Sequence, residues 1–361
     1  MKIGVLTGGG DAPGLNAVIR AVTVRAIHRG HEVIGLRRGW LGMLDADVVP
    51  LTIGDVLDIQ REGGTILGSA RKNVNKVPNG LQIVLDNMEK LGLGALVAIG
   101  GEDTLGVARD LYEAGGRVVG VPKTIDNDVN ATDYTFGFDT AVNRVMEALD
   151  RLHSTTKAHH RCMVVEIMGR HAGWMALHGG IAGGAHIILI PEEPFDTEEI
   201  CRMIKRRHAS GHVYTIVAVA EGAEDPKLMA QVMRSAQKDE FGHVQLSSGI
   251  GIGEVLSNEI EERIGIETRH LVLGHLQRAG QPSAFDRVLG TRFGYKVIEM
   301  IENGEFGKMA SLRGSEIAAV SLQDAVGELK TVDKPRYALA QLFVDAYTGG
   351  LNSSQKPTPE A

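Results

Sequence analysis

The sequence predicts an α/β protein made of two similar doubly wound α/β/α domains, with mainly parallel sheets and a cleft between the two. Three observations carry that expectation. Short apolar runs rich in β-branched residues alternate with amphipathic stretches. Glycines gather directly after those runs, at Gly8, Gly9 and Gly10, at Gly100 and Gly101, and at Gly169 and Gly173. The same order of run, glycine turn and helix occurs in both halves of the chain.

In chain order, residues 2–6 read as a buried strand, followed by a glycine turn and a helix over 13–28. Further strands are expected over 33–36, 95–99, 118–121, 163–167, 187–190 and 214–219. These runs are short and mostly bounded by Gly, Pro or charge, the pattern of strands covered on both faces. Val142, Val145, Met146, Leu149 and Leu152 recur at helical spacing and line one face of a helix. A last helix is expected over 335–347, packed on the second domain, and 353–361 reads as a polar, proline-containing tail. The segment 237–253 receives no function.

Composition excludes several classes. Glycine accounts for 46 of 361 residues, well above the usual ~7%, yet in no triplet repeat, so collagen is out. A hydrophobic share of 43% supports a core and excludes general disorder. No apolar run reaches the ~18 residues of a membrane span, and no leader-like segment opens the chain, so no membrane partner is expected. The two cysteines form neither a disulfide framework nor a zinc site, which favours the cytoplasm. A net charge of −7 without a basic stripe argues against nucleic acid, while leaving room for a local anion pocket.

Four groups of residues could do chemistry. Gly8-Gly9-Gly10-Asp11-Ala12-Pro13-Gly14 joins a strand to a helix, where bare amides and the helix dipole favour an anion. Its spacing is neither the dinucleotide fingerprint nor the P-loop, and a plain packing turn explains it equally well. Gly100-Gly101-Glu102-Asp103-Thr104 puts two carboxylates at a helix start, either as caps or as a magnesium ligand beside a phosphate. In Pro122-Lys123-Thr124-Ile125-Asp126-Asn127-Asp128 a strand ends and a polar loop opens. An Asx-rich turn accounts for the aspartates but not for Lys123. Lysine for charge and aspartate as proton acceptor suit phosphoryl transfer. Arg71, Arg161, Arg170, Arg269 and Arg278 stand in glycine-rich or turn contexts; singly each reads as a surface arginine, and only together as phosphate ligands.

Taken together and in order, these motifs resemble the phosphofructokinase family from Lys2 to about Arg287, with Met168-Gly169-Arg170, Glu221-Gly222 and His275-Leu276-Gln277-Arg278 completing the match. The resemblance implies an active-site cleft between a larger phosphoryl-donor domain (1–137 with about 277–327) and a smaller fructose 6-phosphate domain (about 138–276 with 328–361). It implies that Gly9, Gly10, Arg71, Asp103 and Lys123 meet the donor. Glu102 takes the place of a magnesium-binding aspartate, on a longer arm. Asp126 becomes the acceptor of the sugar 1-hydroxyl proton, with Lys123 and Arg170 beside it in catalysis. Thr124, Asp126, Met168, Gly169, Arg170, Glu221, His275 and Arg278 become sugar-phosphate contacts. Arg161 and Arg269 are lent across the interface of a homodimer or homotetramer.

Donor choice turns on two positions. Asp103 stands where ATP-using relatives keep a second glycine, adding bulk and like charge against a nucleotide α-phosphate. Lys123 replaces a glycine found in many of them. The pair resembles the pyrophosphate-dependent 6-phosphofructokinases, with ATP as the alternative donor and a non-catalytic sugar-phosphate sensor as the alternative of another class. An effector site is expected to be degraded, because Val24 and His153 occupy positions where regulated relatives carry arginines and Arg25 is displaced by one residue relative to Arg20.

Overall fold

The computed structural model describes residues 1–229 and 250–348, together with the backbone of 237–238 and 244–245. It divides into two compact units: Met1–Ala141 with His275–Lys330 and the described part of Lys238–His243, and the described parts of Val142–Gln237, Val244–Gly274 and Thr331–Ala361. The tail at 353–361 and most of 237–253 lie outside the described residues.

In the first unit the strand order is Glu316–Ser321, Lys308–Arg313, Val118–Thr124, Leu93–Gly100, Lys2–Thr7, Glu32–Leu36 and Val48–Pro50. The inner five run parallel, and the two edge strands pair antiparallel. Alternation along each inner strand explains why both faces are covered. Ile3, Val5, Ala95, Val97, Ile99, Val119 and Val121 point into one core, with Val18, Val22, Phe293 and Val297 of the helices Leu15–His28 and Ala284–Glu302. Leu6, Leu96, Ala98 and Val118 point into the other, with Trp40, Leu105 and Leu111. Burying each such side chain contributes ~1.5–3 kcal/mol. The two helices of the first core approach closely because a Cβ at Gly294 would stand 2.8 Å from the Val18 carbonyl oxygen.

The strand order reverses between Lys2–Thr7 and Leu93–Gly100, and in a doubly wound sheet the loops leaving such a pair form the ligand crevice. The glycine turns at Gly8 and Gly101 are those loops. In the second unit the order is Thr268–Val272, Cys162–Ile167, Thr215–Ala220 and Ile187–Leu189, all parallel. The expected helix near the C-terminus is present as Lys334–Thr348. Among the described residues no helix is long and apolar enough to cross a membrane.

Three elements depart from the sequence reading. The strand beginning at Val118 does not end at Pro122; it continues to Thr124. Its pairing with Lys308–Arg313 stops at Gly120, and pairing with Phe136–Gly137 starts at Lys123, so the absent N–H of Pro122 falls between two ladders. Arg269 lies on a strand at the edge of the second sheet rather than in a turn. The antiparallel hairpin of 308–313 and 316–321 escaped the reading because its runs are less apolar.

A buried carboxylate joins two helix starts in the first unit. Asp286 Oδ2 accepts from the Thr140 amide at 2.8 Å and from its hydroxyl at 2.5 Å, and Ser283 caps its own helix through the Asp286 amide. Burial pushes the Asp286 carboxyl from 3.8 up to about 6, against the pull of the Thr140 bonds. The native carboxyl therefore holds its proton more tightly than the unfolded chain does. Its contribution favours the fold below about pH 4 and is lost as pH rises through about 6. Asp286→Asn removes that slope, so urea melts are expected to show the variant gaining on the wild-type protein between pH 4.5 and 7; an unchanged difference contradicts this.

Candidate active site

The site in the first unit is organised by backbone approach. Gly9 adopts φ +78°, a conformation that a side chain disfavours, and this turns its carbonyl toward the Ser69 hydroxyl, which donates to it at 2.5 Å. The Gly9 amide donates to the Ala70 carbonyl at 3.3 Å, which brings the exposed Arg71 alongside the loop. The Gly8 amide donates to the Ile99 carbonyl at 2.9 Å, linking the two crevice loops. Thr104 fills the space beside both: a Cβ at Gly8 would meet its Oγ1 at 2.6 Å, and one at Gly100 would meet its Cβ at 2.3 Å.

Two cations close on this loop. Lys123, 4% exposed at the end of its strand, donates from Nζ to the Gly10 carbonyl at 2.5 Å. Arg278 Nη1 donates to the Asp11 carbonyl at 3.0 Å, and a Cβ at Gly10 would stand 2.8 Å from the same nitrogen. A side chain at position 10 would displace that guanidinium from its present place. Burial pushes the Lys123 ammonium down to about 8, and the Arg278 charge adds to the fall, while Asp11, Asp128 and Asp126 act the other way.

The carboxylates stand next to these cations. Glu102 and Asp103 occupy the first turn of the helix Glu102–Glu113, whose cap, Gly101, offers no side-chain oxygen. A Cβ at Gly101 would lie 3.4 Å from the Lys123 carbonyl oxygen, so this turn abuts the end of the Lys123 strand. Thr124 Oγ1 accepts from the Asp126 amide at 3.0 Å and holds the following loop. Asp128 is pushed well above the ordinary carboxylate range by burial, by the charge of Asp126 and, less, by Glu102. The pair Asp126 and Asp128 therefore resists carrying two negative charges.

In the second unit, Met168, Gly169 and Arg170 follow the Cys162–Ile167 strand, and Glu221 follows its neighbour Thr215–Ala220. The Glu221 amide donates to the Ile167 carbonyl at 2.7 Å and that of Gly222 to the Gly169 carbonyl at 3.2 Å. Gly169 has φ +136°, and a Cβ at Gly222 would lie 1.9 Å from the Arg170 carbonyl oxygen, so the two strand-end loops touch through bare backbone. Arg161 and Arg269 share one carboxylate: Glu267 Oε1 lies 3.5 Å from Arg161 Nη2 and 2.9 Å from Arg269 Nη2. His275, which belongs to the first unit, is exposed on the short helix Gly274–Arg278.

Ser69 and Thr104 carry no role in the sequence reading, although Ser69 lies two residues before Arg71 and Thr104 next to Asp103. A hydroxyl that packs against glycine has no signature of its own. The positions of the expected degraded effector site are engaged internally. His153 hydrogen-bonds the Gly183 carbonyl at 2.8 Å and the Tyr214 hydroxyl at 3.1 Å, Arg20 donates to the Leu57 carbonyl at 3.1 Å, and Arg25 stacks over Tyr295.

An α/β crevice lined by glycine backbone, two cations and neighbouring carboxylates defines a phosphate-handling protein. The phosphofructokinase family model matches residues 2–301, and the chain belongs to that family. It is 54% identical to a pyrophosphate--fructose 6-phosphate 1-phosphotransferase of Amycolatopsis methanolica, over 95% of this chain and 99% of the relative. It is also 51% identical to ATP-dependent 6-phosphofructokinase 3 of Streptomyces coelicolor, over 94% and 99%. A solved pyrophosphate-dependent phosphofructokinase from Nitrosospira multiformis shares the fold, with a TM-score of 0.80 at 20% identity, over 99% of this chain and 95% of that one.

Because the Arg278 charge holds the Lys123 ammonium down, Arg278→Met is expected to raise the Lys123 titration from about 8. Side-chain nitrogen NMR across pH 6–11 reads this directly, and an unmoved or lowered titration contradicts the pairing.

Proposed function

We propose that the chain transfers a phosphoryl group reversibly from pyrophosphate to the 1-hydroxyl of fructose 6-phosphate, giving fructose 1,6-bisphosphate and phosphate. The observation that carries the choice of donor is the half-buried Asp103, in the helix turn that abuts the end of the Lys123 strand. Relatives near 50% identity are named for both donors, so overall similarity does not separate pyrophosphate from ATP. A carboxylate in that turn repels a third phosphate, while the buried Lys123 ammonium suits a compact dianionic end group.

The chemistry follows from charge. Asp126 accepts the hydroxyl proton, and the strain of two neighbouring carboxylates favours proton uptake by the Asp126–Asp128 pair. Lys123, Arg71 and the Gly10 amide balance the charge of the group in transfer, with Gly9 shaping the loop that carries them. The second unit would hold the sugar phosphate through Met168, Gly169, Arg170 and Glu221, with Thr124, His275 and Arg278 as further contacts. Family members use a divalent metal, and magnesium is the ion these residues fit. Glu102 and Asp128 are hard oxygen donors close enough to feel each other, and among the described residues no three-carboxylate or histidine cage exists. Magnesium is commonly held by one or two carboxylates and completed by substrate phosphates. Such an ion supplies charge stabilisation to the phosphoryl oxygens. The reading includes a cytoplasmic homodimer or homotetramer in which Arg161 and Arg269 reach a neighbouring subunit's sugar phosphate, and little regulation by nucleotides.

Initial rates with magnesium and either pyrophosphate or ATP test the donor: turnover with pyrophosphate is expected, and activity with ATP alone overturns the reading. Asp103→Gly is expected to gain ATP use. Asp126→Ala is expected to lose ~10²–10⁴ in kcat while still binding fructose 6-phosphate in calorimetry.

A further inference from the structure

The loop that carries Arg170 is held from both sides. Its Arg170 carbonyl lies against Gly222, as described above. Its other end, at Gly173, begins the helix Trp174–Ala182, and Gly173 supplies no side chain to cap it. The carboxylate that does so comes from elsewhere. Glu192 Oε1 and Oε2 accept the Gly173 amide at 2.9 and 3.1 Å. The fit is close, since a Cβ at Gly173 would meet Glu192 Oε2 at 2.9 Å and the Ile190 Cβ at 2.4 Å.

Glu192 has a second bond. Its Oε1 also accepts the Val332 amide at 2.8 Å, just before the helix Lys334–Thr348. That helix lies beyond the residues matched by the family model, which end at 301. It is pinned against the same elements: Tyr337 donates its hydroxyl to the Ile188 carbonyl at 2.9 Å, and the Arg336 guanidinium lies 5.6 Å from the centroid of the Trp174 ring. One carboxylate thus joins the Arg170 loop to the C-terminal helix, within a single unit.

We propose that Glu192 is a positioning residue for sugar-phosphate recognition, and that the C-terminal helix acts through it to hold the Arg170 loop in its binding geometry. This rests on the reading of Arg170 as a sugar-phosphate ligand. A cap on an amide is worth most when the acceptor is charged, and Glu192 is the charged partner of two amides at once. Without it the loop loses the charged partner at its Gly173 end, while the Gly222 contact at its other end stays.

Kinetics of three variants of the full chain test the proposal. In Glu192→Ala the KM for fructose 6-phosphate is expected to rise about tenfold, with kcat and the donor KM within about twofold of the wild-type values. Glu192→Gln keeps an oxygen acceptor and is expected to recover most of that loss. Val332→Pro removes the amide that the C-terminal arm gives to Glu192 and leaves Glu192 and Gly173 in place, and is expected to raise the same KM about threefold. That variant decides the matter if Glu192→Ala fails to fold. Hydrogen exchange provides a readout independent of activity: uptake across 168–175 is expected to rise in Glu192→Ala. An unchanged fructose 6-phosphate KM, a parallel rise in both substrate constants, or a smaller loss in Glu192→Ala than in Glu192→Gln overturns the proposal. If the wild-type protein turns over fructose 6-phosphate with neither donor, the functional reading fails. Exchange at 168–175 then decides the positioning role, with increased uptake supporting it and unchanged uptake overturning it.

Discussion

Keeping one ammonium out of water constrains much of the first unit. Lys123 sits at the end of a central strand, 4% exposed, and its charge must be met by oxygen. The Gly10 carbonyl meets it directly, and Asp11, Asp126 and Asp128 supply the compensating field. That arrangement requires the glycine loop to come within hydrogen-bond reach of the strand end, through a positive φ at Gly9 that favours glycine. It also places Arg278 against the same loop, which lowers the affinity of Lys123 for its proton. Burial and these neighbours together move Lys123 down and Asp128 up from their ordinary values.

The same constraint explains why the acidic residues fall where they do. Glu102 and Asp103 open a helix at the reversal of strand order, where a positive helix end and a bare crevice already favour negative charge. Seen locally they are ordinary first-turn acids. What sets them apart is that their turn, through Gly101, lies beside the Lys123 carbonyl and the Thr124 side chain. The second unit follows a similar plan with a different emphasis, holding its loops by amide contacts at Gly222 and Gly173 rather than by buried charge.

Much of this was legible in the residues. The apolar alternation of Leu93–Gly100 marks a strand covered on both faces, and the structure finds Leu96 and Ala98 in one core and Val97 and Ile99 in the other. The glycine turns marked the crevice loops because backbone flexibility at a strand end has a signature in composition. Lys123 was legible as chemistry but not as structure. The proline before it reads as a strand end, and only the shift from one neighbouring strand to another shows how the strand continues. Ser69, Thr104 and Glu192 were not legible, since each works through partners 19 or more residues away or through space left by a glycine.

The sequence by itself determined the α/β class, the position of the glycine turns that leave the central strands and the residue types that could do the chemistry. These are local matters of periodicity, turn propensity and charge, which adjacent residues decide. Tertiary structure alone decided which of those residues meet: that Arg278 lies on the Gly10 loop, that Glu267 is shared by Arg161 and Arg269, and that Glu192 joins the Arg170 loop to the C-terminal helix. Hydrogen bonds and desolvation act over a few ångströms, and partners distant along the chain reach that separation only when the sheets and helices have packed.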